Sequence, residues 1–182
     1  MGNALRRRVV VTGLGAVTPI GNTADEFWQA ALDCRNGISK ITHFKVDDMT
    51  CHIAGMVKGF DASTVIDKKL ARQTDPFVHF AIAAAQQAVK ESGLDFSKED
   101  PERTGVILGS GIGGMQEIQD GAETLFSRGP GRQSPFFIPK LMLNAASGQI
   151  AINFGVRGPN WSCASACASS NHAVGSALRS IQ

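Results

Sequence analysis

Apolar residues occur along the chain in short runs and in helical periodicities, a pattern typical of strands that alternate with helices. Short apolar runs at 9–12 and 104–110 predict two buried strands, and residues 160–165 predict a third. A weaker alternation at 51–57 predicts an edge strand or a surface hairpin. This order of elements predicts an α/β fold built on a parallel sheet.

Capping residues mark the ends of the predicted helices. Thr23 is a favoured N-cap for the first helix, and Asp25 and Glu26 suit its positive end. The longest helix is expected to begin at Pro76 and to end before Gly93, and its many alanines indicate an internal position. Helical patterns cover residues 24–34, 76–92, 115–126, 143–155 and 167–182.

The composition of the 182 residues is that of a packed globular protein. Hydrophobic residues make up 43% and charged residues 19% of the chain, which excludes a disordered tail and a coiled coil. The net charge of +2 provides no global field that would attract nucleic acid or an anionic membrane. No stretch approaches the ~18 apolar residues of a membrane span. Neither nucleic acid nor a membrane is therefore expected as a partner.

The four cysteines are widely separated and form no CxxC motif, so they do not indicate a disulfide framework. A reducing, cytoplasmic location is expected on this ground. The four histidines lie in unrelated segments, and none has a Cys/His spacing that would bind a metal. The sequence therefore predicts no metal site.

Cys167 is the candidate nucleophile, because it falls at a predicted turn from strand to helix. The neighbours two residues away, Ser165 and Ser169, are small enough for the strained backbone of such a turn. The positive end of the following helix favours thiolate, and adjacent N–H groups are suited to bind the oxyanion of an acyl transfer. The alternative is an ordinary buried thiol, the more frequent role of a free cysteine and the one expected for Cys163 within the strand.

His172 is the histidine nearest to Cys167 in sequence, but the spacing argues against a catalytic pair. If both residues lie on one helix, five residues correspond to about 140° around its axis, and the two side chains point apart. His172 is therefore expected to have a structural role, with a backbone carbonyl as its hydrogen-bond partner.

The segment GSGIGG at 109–114 matches the dinucleotide-binding pattern G-x-G-x-x-G and lies between a predicted strand and a predicted helix. In that fold an acidic residue about 20 residues further on binds the ribose. Here that distance ends near Gln133 and Ser134, where no strand ends in Asp or Glu. A tight turn packed against the core is the favoured interpretation, and a nucleotide-binding oxidoreductase remains an alternative.

Four segments in one order carry a more specific signal: RRVVVTGLGAVTPIGN at 7–22, GVILGSGIGG at 105–114, SPFFIPKLMLNAASGQIAINFGVRGPN at 134–160 and SACASSNHAVGSA at 165–177. Together they resemble the N-terminal half of a β-ketoacyl-acyl-carrier-protein synthase of the chain-elongating type II class. The resemblance implies the thiolase-like αβαβα fold, a homodimer and acyl carrier protein as partner. It also implies decarboxylative condensation with malonyl-carrier protein, without a resident cofactor, because the substrates arrive on phosphopantetheine.

The resemblance assigns roles to four residues of this chain. Cys167 matches the nucleophile, and its own N–H matches one donor to the oxyanion. Ile112 matches the residue that gates the acyl pocket, which gives the glycine-rich turn a use other than phosphate binding. Phe137 and Met142 match positions that line the acyl tunnel near the dimer interface.

The family's two catalytic histidines and its conserved lysine lie in the C-terminal half, and none of the four histidines here matches them. Residues 1–182 are therefore expected to be an N-terminal half that ends within the helix after the nucleophile. By itself this chain is expected to be poorly soluble and inactive in condensation. The alternative within the family is a non-catalytic chain-length or partner subunit, against which the retained Cys167 argues.

Overall fold

Seven α-helices and two small sheets are formed by residues 7–182, the part of the chain that the computed structural model describes. The helices are α1 Ala24–Leu32, α2 Lys68–Gln73, α3 Pro76–Ser92, α4 Met115–Arg128, α5 Phe137–Leu141, α6 Ala145–Phe154 and α7 Ser169–Ile181. The strands are β1 Ile38–Lys40, β2 Ile53–Gly55, β3 Val106–Gly109 and β4 Asn160–Cys163. Within these residues, no helix has the length and apolar character needed to cross a membrane.

The strands β3 and β4 form a parallel pair, which confirms two of the predicted strands and the predicted parallel pairing. In their register Val106 lies opposite Asn160, and Gly109 lies opposite Cys163. The chain between them passes through α4, α5 and α6, as a parallel crossover requires. The two strands therefore end at the same edge of the sheet.

Helices cover both faces of the β3–β4 pair. Val106 and Leu108 pack against a core that includes residues of α3 and α6. Gly109 lies instead against the backbone of Ser169 in α7, so closely that a Cβ at position 109 would collide with it. Because successive strand residues point to opposite faces, α6 and α7 lie on opposite sides of this sheet.

The long helix α3 begins and ends where its capping residues predict. The Asp75 side chain accepts a hydrogen bond from the N–H of Phe77, and Gly93 follows the helix in the left-handed conformation, with φ of 68°. Val78 and Ile82 of this helix are fully buried, and they form the core together with Ala146 of α6. The prediction of an internal helix is confirmed.

The strands β1 and β2 form a separate antiparallel ribbon in which Ile38 lies opposite Gly55. Both outer positions of each strand are exposed. This ribbon confirms the surface hairpin that the alternation at 51–57 predicts. The helix α1 before it also begins as predicted, since Thr23 Oγ1 accepts a hydrogen bond from the N–H of Glu26 at 3.1 Å.

The strand predicted at 9–12 is absent, and that prediction is wrong. Within residues 7–182 this segment pairs with no strand, and Val10 and Val11 are 67% and 77% exposed. The residues after it are held by α3, whose Gln87 side chain accepts a hydrogen bond from the N–H of Ala16 at 3.1 Å. An apolar, β-branched run becomes a strand only beside a partner strand, which the run itself does not specify.

The first prediction concerns the contact between β3 and α7. Gly109→Ala places a methyl group against the Ser169 backbone, and we expect a loss of about 1–3 kcal/mol in the free energy of unfolding. Gly131→Ala is the control, because a Cβ there meets nothing within 4 Å, and we expect a change of less than about 0.5 kcal/mol. Urea unfolding measures both. Equal effects of the two substitutions would contradict the described packing.

The second prediction concerns His79, which is buried in α3 with Nε2 3.0 Å from Thr74 Oγ1. Burial lowers the pKa of His79 below 6.5, although the Asp75 carboxylate acts in the opposite direction. The unfolded chain therefore takes up a proton near pH 6.5, before the folded chain does. The stability due to neutral His79 is complete above that pH and declines as the pH falls from about 6.5 to the lower folded-state pKa.

We therefore expect the free energy of unfolding of His79→Gln to fall less than that of the wild type between about pH 7.5 and pH 5.5, because glutamine does not titrate. His43→Gln is the matched control, since His43 is exposed. The measurement is the midpoint of urea unfolding across this pH range. An unchanged pH dependence in His79→Gln would show that His79 does not contribute it.

Candidate active site

Cys167 lies in a tight turn between β4 and α7, at residues 164–168, which we call the elbow. The N–H of Ala168 donates to the carbonyl of Ser165 at 3.0 Å, and the N–H of Ser169 donates to that of Ala166 at 3.2 Å. Ala166 has φ of 49°, a left-handed conformation that non-glycine residues rarely adopt. The predicted strand-to-helix turn around Cys167 is thus present, with its backbone strain on the residue before the cysteine.

The two cysteines near the elbow differ in accessibility. Cys167 is exposed, and within residues 7–182 neither its thiol nor its N–H takes part in a hydrogen bond. Cys163 is half-buried in β4, where its Sγ lies 3.4 Å from the Ser169 carbonyl oxygen. This arrangement confirms the predicted place of Cys163 within a strand. Of the two thiols, Cys167 is the one that a substrate can reach.

Side chains on both sides of Cys167 hold the elbow. Ser169 Oγ accepts a hydrogen bond from the N–H of Ser165 at 2.9 Å and donates one to the carbonyl of Ala166 at 2.7 Å. Ser165 Oγ is hydrogen-bonded to His172 Nδ1 at 2.6 Å. His172 is thus paired with a hydroxyl, and the prediction of a backbone carbonyl as its partner is wrong. The turn returns Ser165 to the side of α7, a proximity that helical spacing alone does not reveal.

The glycine-rich loop 110–114 follows β3 and lies beside the elbow. Its first residue, Ser110, donates its N–H to the carbonyl of Cys163 at 3.1 Å. A Cβ at Gly111 would be 3.7 Å from the carbonyl oxygen of Ala166. At its other end, the N–H of Gly114 donates to the carbonyl of Leu141, the last residue of α5, at 3.1 Å. The loop therefore spans the space between the elbow and the end of α5.

The same loop does not form a phosphate site. The Asp75 carboxylate, only 6% exposed, accepts the N–H of Glu117 in the first turn of α4 at 3.1 Å. A dinucleotide phosphate would need that helix terminus, and the negative carboxylate already occupies it. Gly113, with φ of 87°, lies against the carbonyl of Leu141. The space that a side chain at position 113 would need is therefore filled by protein backbone. The geometry thus favours the tight-turn interpretation over nucleotide binding.

Asp75 has a second role that its place in the sequence does not predict. Asp75 Oδ1 caps its own helix α3 through the N–H of Phe77 at 3.3 Å, while Oδ2 caps α4. Nearby, Lys140 Nζ of α5 forms a 2.8 Å ion pair with Glu117, and both side chains are largely buried. The only sequence signal was an Asp before Pro76, which predicts one cap and not two. These contacts fix α3, α4 and α5 relative to the glycine-rich loop.

The three candidate pocket residues lie around this loop but are not all in contact with it. Ile112 is at its centre and is 63% exposed. Met142 directly follows α5, beside the Leu141 carbonyl that binds the loop, and is 39% exposed. The ring of Phe137 packs against Gly121 on α4, where a Cβ would collide with it. The structure thus places Ile112 between the elbow and Met142, and Phe137 on the neighbouring helix.

Comparison with known proteins gives one consistent result for almost the whole chain. Residues 6–182 match the family model described as the N-terminal domain of β-ketoacyl synthase. A 3-oxoacyl-[acyl-carrier-protein] synthase 2 of Synechocystis is 46% identical over all 182 residues. The protein of the same name from Vibrio cholerae is 43% identical over 176 residues. The chain spans 44% and 42% of the lengths of these two relatives.

Solved structures with the same architecture are also ketosynthases. The ishigamide ketosynthase/chain length factor superposes with a TM-score of 0.87 and 28% identity, over 97% of this chain and 44% of the other. A type II PKS acyl-carrier protein in complex with its ketosynthase gives a TM-score of 0.81 at 28% identity, over 97% of this chain and 48% of the other. These similarities confirm the fold class expected from the four sequence segments.

The third prediction concerns the double cap by Asp75. Asp75→Ala removes a cap from α3 and from α4, and we expect a loss of about 2 kcal/mol in the free energy of unfolding. Asp67→Ala is the control, since Asp67 caps α2 alone, with 2.8 Å bonds from Lys69 and Leu70, and should cost about 1 kcal/mol. Urea unfolding of both variants measures the difference. A smaller loss for Asp75→Ala than for Asp67→Ala would contradict the double role.

Proposed function

Because this chain belongs to the β-ketoacyl synthase family, whose N-terminal domain it matches over residues 6–182, we propose that the protein containing it is a 3-oxoacyl-[acyl-carrier-protein] synthase. It transfers an acyl group to Cys167 and then condenses that group with a malonyl unit. The proposal is made for the longer protein, because this chain covers less than half of its curated relatives.

The observation that carries the proposal is the position of Cys167. Its thiol is exposed in the elbow directly before α7. Its N–H has no hydrogen-bond partner within residues 7–182 and remains available to an oxyanion. A thiol that is accessible, next to a helix N-terminus and beside an unused N–H donor is suited to acyl transfer.

The first half-reaction is a thioester exchange at Cys167. The thiolate attacks the acyl carbonyl of the carrier-bound thioester, and the Cys167 N–H stabilises the negative oxygen of the tetrahedral intermediate. The intermediate collapses by breaking its bond to the phosphopantetheine sulfur, which leaves as a thiol after taking up a proton. The acyl group remains on Cys167 as a thioester, which keeps its carbonyl reactive.

The second half-reaction forms the carbon–carbon bond. The malonyl thioester loses CO₂, and the electron pair left on its α-carbon attacks the carbonyl of the acyl group on Cys167. The Cys167–acyl bond breaks, the thiolate is released, and the product is a β-ketoacyl thioester two carbons longer. The family's histidines and lysine for this step have no match among residues 1–182, so we place them in the remaining length of the protein.

The acyl chain is proposed to lie near the glycine-rich loop. Ile112 at the centre of the loop lies between the elbow and the end of α5, a place from which a side chain can open or close access to Cys167. Met142 directly follows α5, on the far side of the loop from the elbow. Phe137 is the first residue of α5. We assign Ile112 as the gate, and Met142 and Phe137 as lining residues.

The partners proposed are acyl carrier protein and a second copy of the chain, in the cytoplasm. One structural neighbour is an acyl-carrier protein in complex with its ketosynthase, which supports the first partner. Large apolar side chains on α4 and α5 are exposed, among them Phe126 at 88% and Ile138 at 56%. Such a surface supports burial in a dimer.

A non-catalytic partner subunit is the second candidate, because one neighbour is a ketosynthase/chain length factor pair. The discriminating feature is the nucleophile. Cys167 is present and exposed, whereas a subunit that only sets chain length has no use for a reactive thiol in the elbow.

The fourth prediction tests this function in the protein encoded by the complete reading frame that contains residues 1–182. With acyl- and malonyl-carrier protein, we expect β-ketoacyl product and CO₂ from the wild type. Cys167→Ala should lower turnover by at least about 10³-fold, because the covalent intermediate cannot form. Cys51→Ala, which changes an exposed thiol outside the elbow, is the control and should retain most of the activity.

Product formation is measured by mass spectrometry of the carrier protein. Undiminished condensation by Cys167→Ala would exclude Cys167 as the nucleophile. The non-catalytic role would be favoured by a different result. In that case the wild type forms no product alone, and both the wild type and Cys167→Ala form product when a second ketosynthase subunit is added.

A further inference from the structure

We propose that Ser169 is a positioning residue for Cys167, an inference that rests on the acyl transfer proposed above. Its side chain holds the left-handed turn at Ala166 and thereby fixes the place of the cysteine relative to the sheet. Ser169 itself does not touch the acyl group.

The backbone of Ser169 is fixed by both strands of the parallel pair. Gly109 at the end of β3 lies directly against the Ser169 carbonyl group, in a space that no side chain could share. Cys163 at the end of β4 has its Sγ 3.4 Å from the same carbonyl oxygen. Ser169 is 3% exposed, so neither contact competes with solvent. The first residue of α7 is therefore held in place by the sheet.

The hydroxyl of Ser169 transmits this position to the elbow. It accepts the N–H of Ser165 at 2.9 Å and donates to the carbonyl of Ala166 at 2.7 Å, so it bonds to a peptide group on each side of Ala166. Among the hydroxyl groups of residues 7–182, that of Ser169 is the one that bridges these two groups. One atom, Ser169 Oγ, therefore sets the distance between the N–H of Ser165 and the carbonyl oxygen of Ala166.

This pair of hydrogen bonds holds Ala166 in its strained, left-handed conformation. A residue with a Cβ is disfavoured in the left-handed region, so Ala166 with φ of 49° would relax to a different conformation without a restraint. Relaxation would rotate the peptide that leads into Cys167 and move the thiol away from the N-terminus of α7. Ser169 thus acts on the reaction through Ala166, and a glycine at position 166 should make the restraint unnecessary.

The experiment compares Ser169→Ala, Ser169→Thr and the double variant Ala166→Gly/Ser169→Ala in the complete protein. The first readout is the single-turnover rate of acyl transfer to Cys167, with its dependence on acyl-carrier-protein concentration. The second is the rate of Cys167 alkylation by iodoacetamide, resolved by peptide mass spectrometry, with the exposed Cys34 and Cys51 as internal references. Ser147→Ala is the control, because it removes a fully buried hydroxyl that bonds to Ser162 and lies outside the elbow.

We expect Ser169→Ala to slow acyl transfer roughly tenfold at saturation, the factor that corresponds to the cost of a left-handed alanine. The half-saturating concentration of acyl carrier protein should not change, since Ser169 is only 3% exposed. Alkylation of Cys167 should slow in parallel, while labelling of the two reference cysteines stays the same. Ser169→Thr keeps the hydroxyl and should stay close to wild type, as should Ser147→Ala.

The double variant is the decisive measurement. Glycine adopts the required φ without strain, so Ala166→Gly should restore most of the rate lost in Ser169→Ala. If Ser169→Ala does not fold, the double variant carries the test, because it is expected to fold and to react at nearly the wild-type rate. Unchanged rates in Ser169→Ala, no restoration in the double variant, or an equal loss in Ser147→Ala would each overturn the proposal. If the wild type accepts no acyl group, the proposed function fails, whereas the alkylation rates still decide the role of Ser169.

Discussion

The close approach of Gly109 to the first turn of α7 is the constraint on which the site depends. At this point the backbone of β3 and the backbone of Ser169 are in direct contact, and a single methyl group would separate them. Because Gly109 lies opposite Cys163 in the parallel register, the same contact sets where β4 ends. The chain must then turn within residues 164–168 to enter α7, and that turn presents Cys167 to solvent. The end of β4, the elbow and the exposed thiol therefore all lie next to this packing contact.

A second anchor holds the other side of the site. The buried Asp75 carboxylate caps α3 and α4 together, and the Lys140–Glu117 ion pair ties α5 to α4. The loop 110–114 is fastened at one end to Cys163 and at the other to Leu141, so both anchors act on it. A glycine-rich loop beside a helix N-terminus suggests phosphate binding, but here a carboxylate fills the helix end and protein backbone fills the space at the glycines. The loop is therefore available as a wall of the proposed acyl site.

Local signals in the sequence were sufficient for most elements and for the turn that contains Cys167. Thr23, Pro76 and Gly93 delimit helices because a cap is decided by the residue itself and its nearest neighbours. Features that depend on distant residues were not predictable in this way. The apolar run at 9–12 lacks a partner strand within residues 7–182, the second cap by Asp75 acts across 42 positions, and the hydroxyl partner of His172 is brought close only by the elbow. The turn around Cys167 could be predicted because small residues and a following helix mark it locally.

The central claim is that Cys167 accepts the acyl group, and the transfer half-reaction tests it without the condensation step. The complete protein is mixed with an acyl-carrier protein in the absence of malonyl substrate, and the modified peptide is identified by mass spectrometry. The account predicts one acyl group per chain, bound to Cys167 as a thioester that hydroxylamine releases. Acylation of Cys34, Cys51 or Cys163 instead, or an acyl group that is still bound in Cys167→Ser at a different residue, would contradict it.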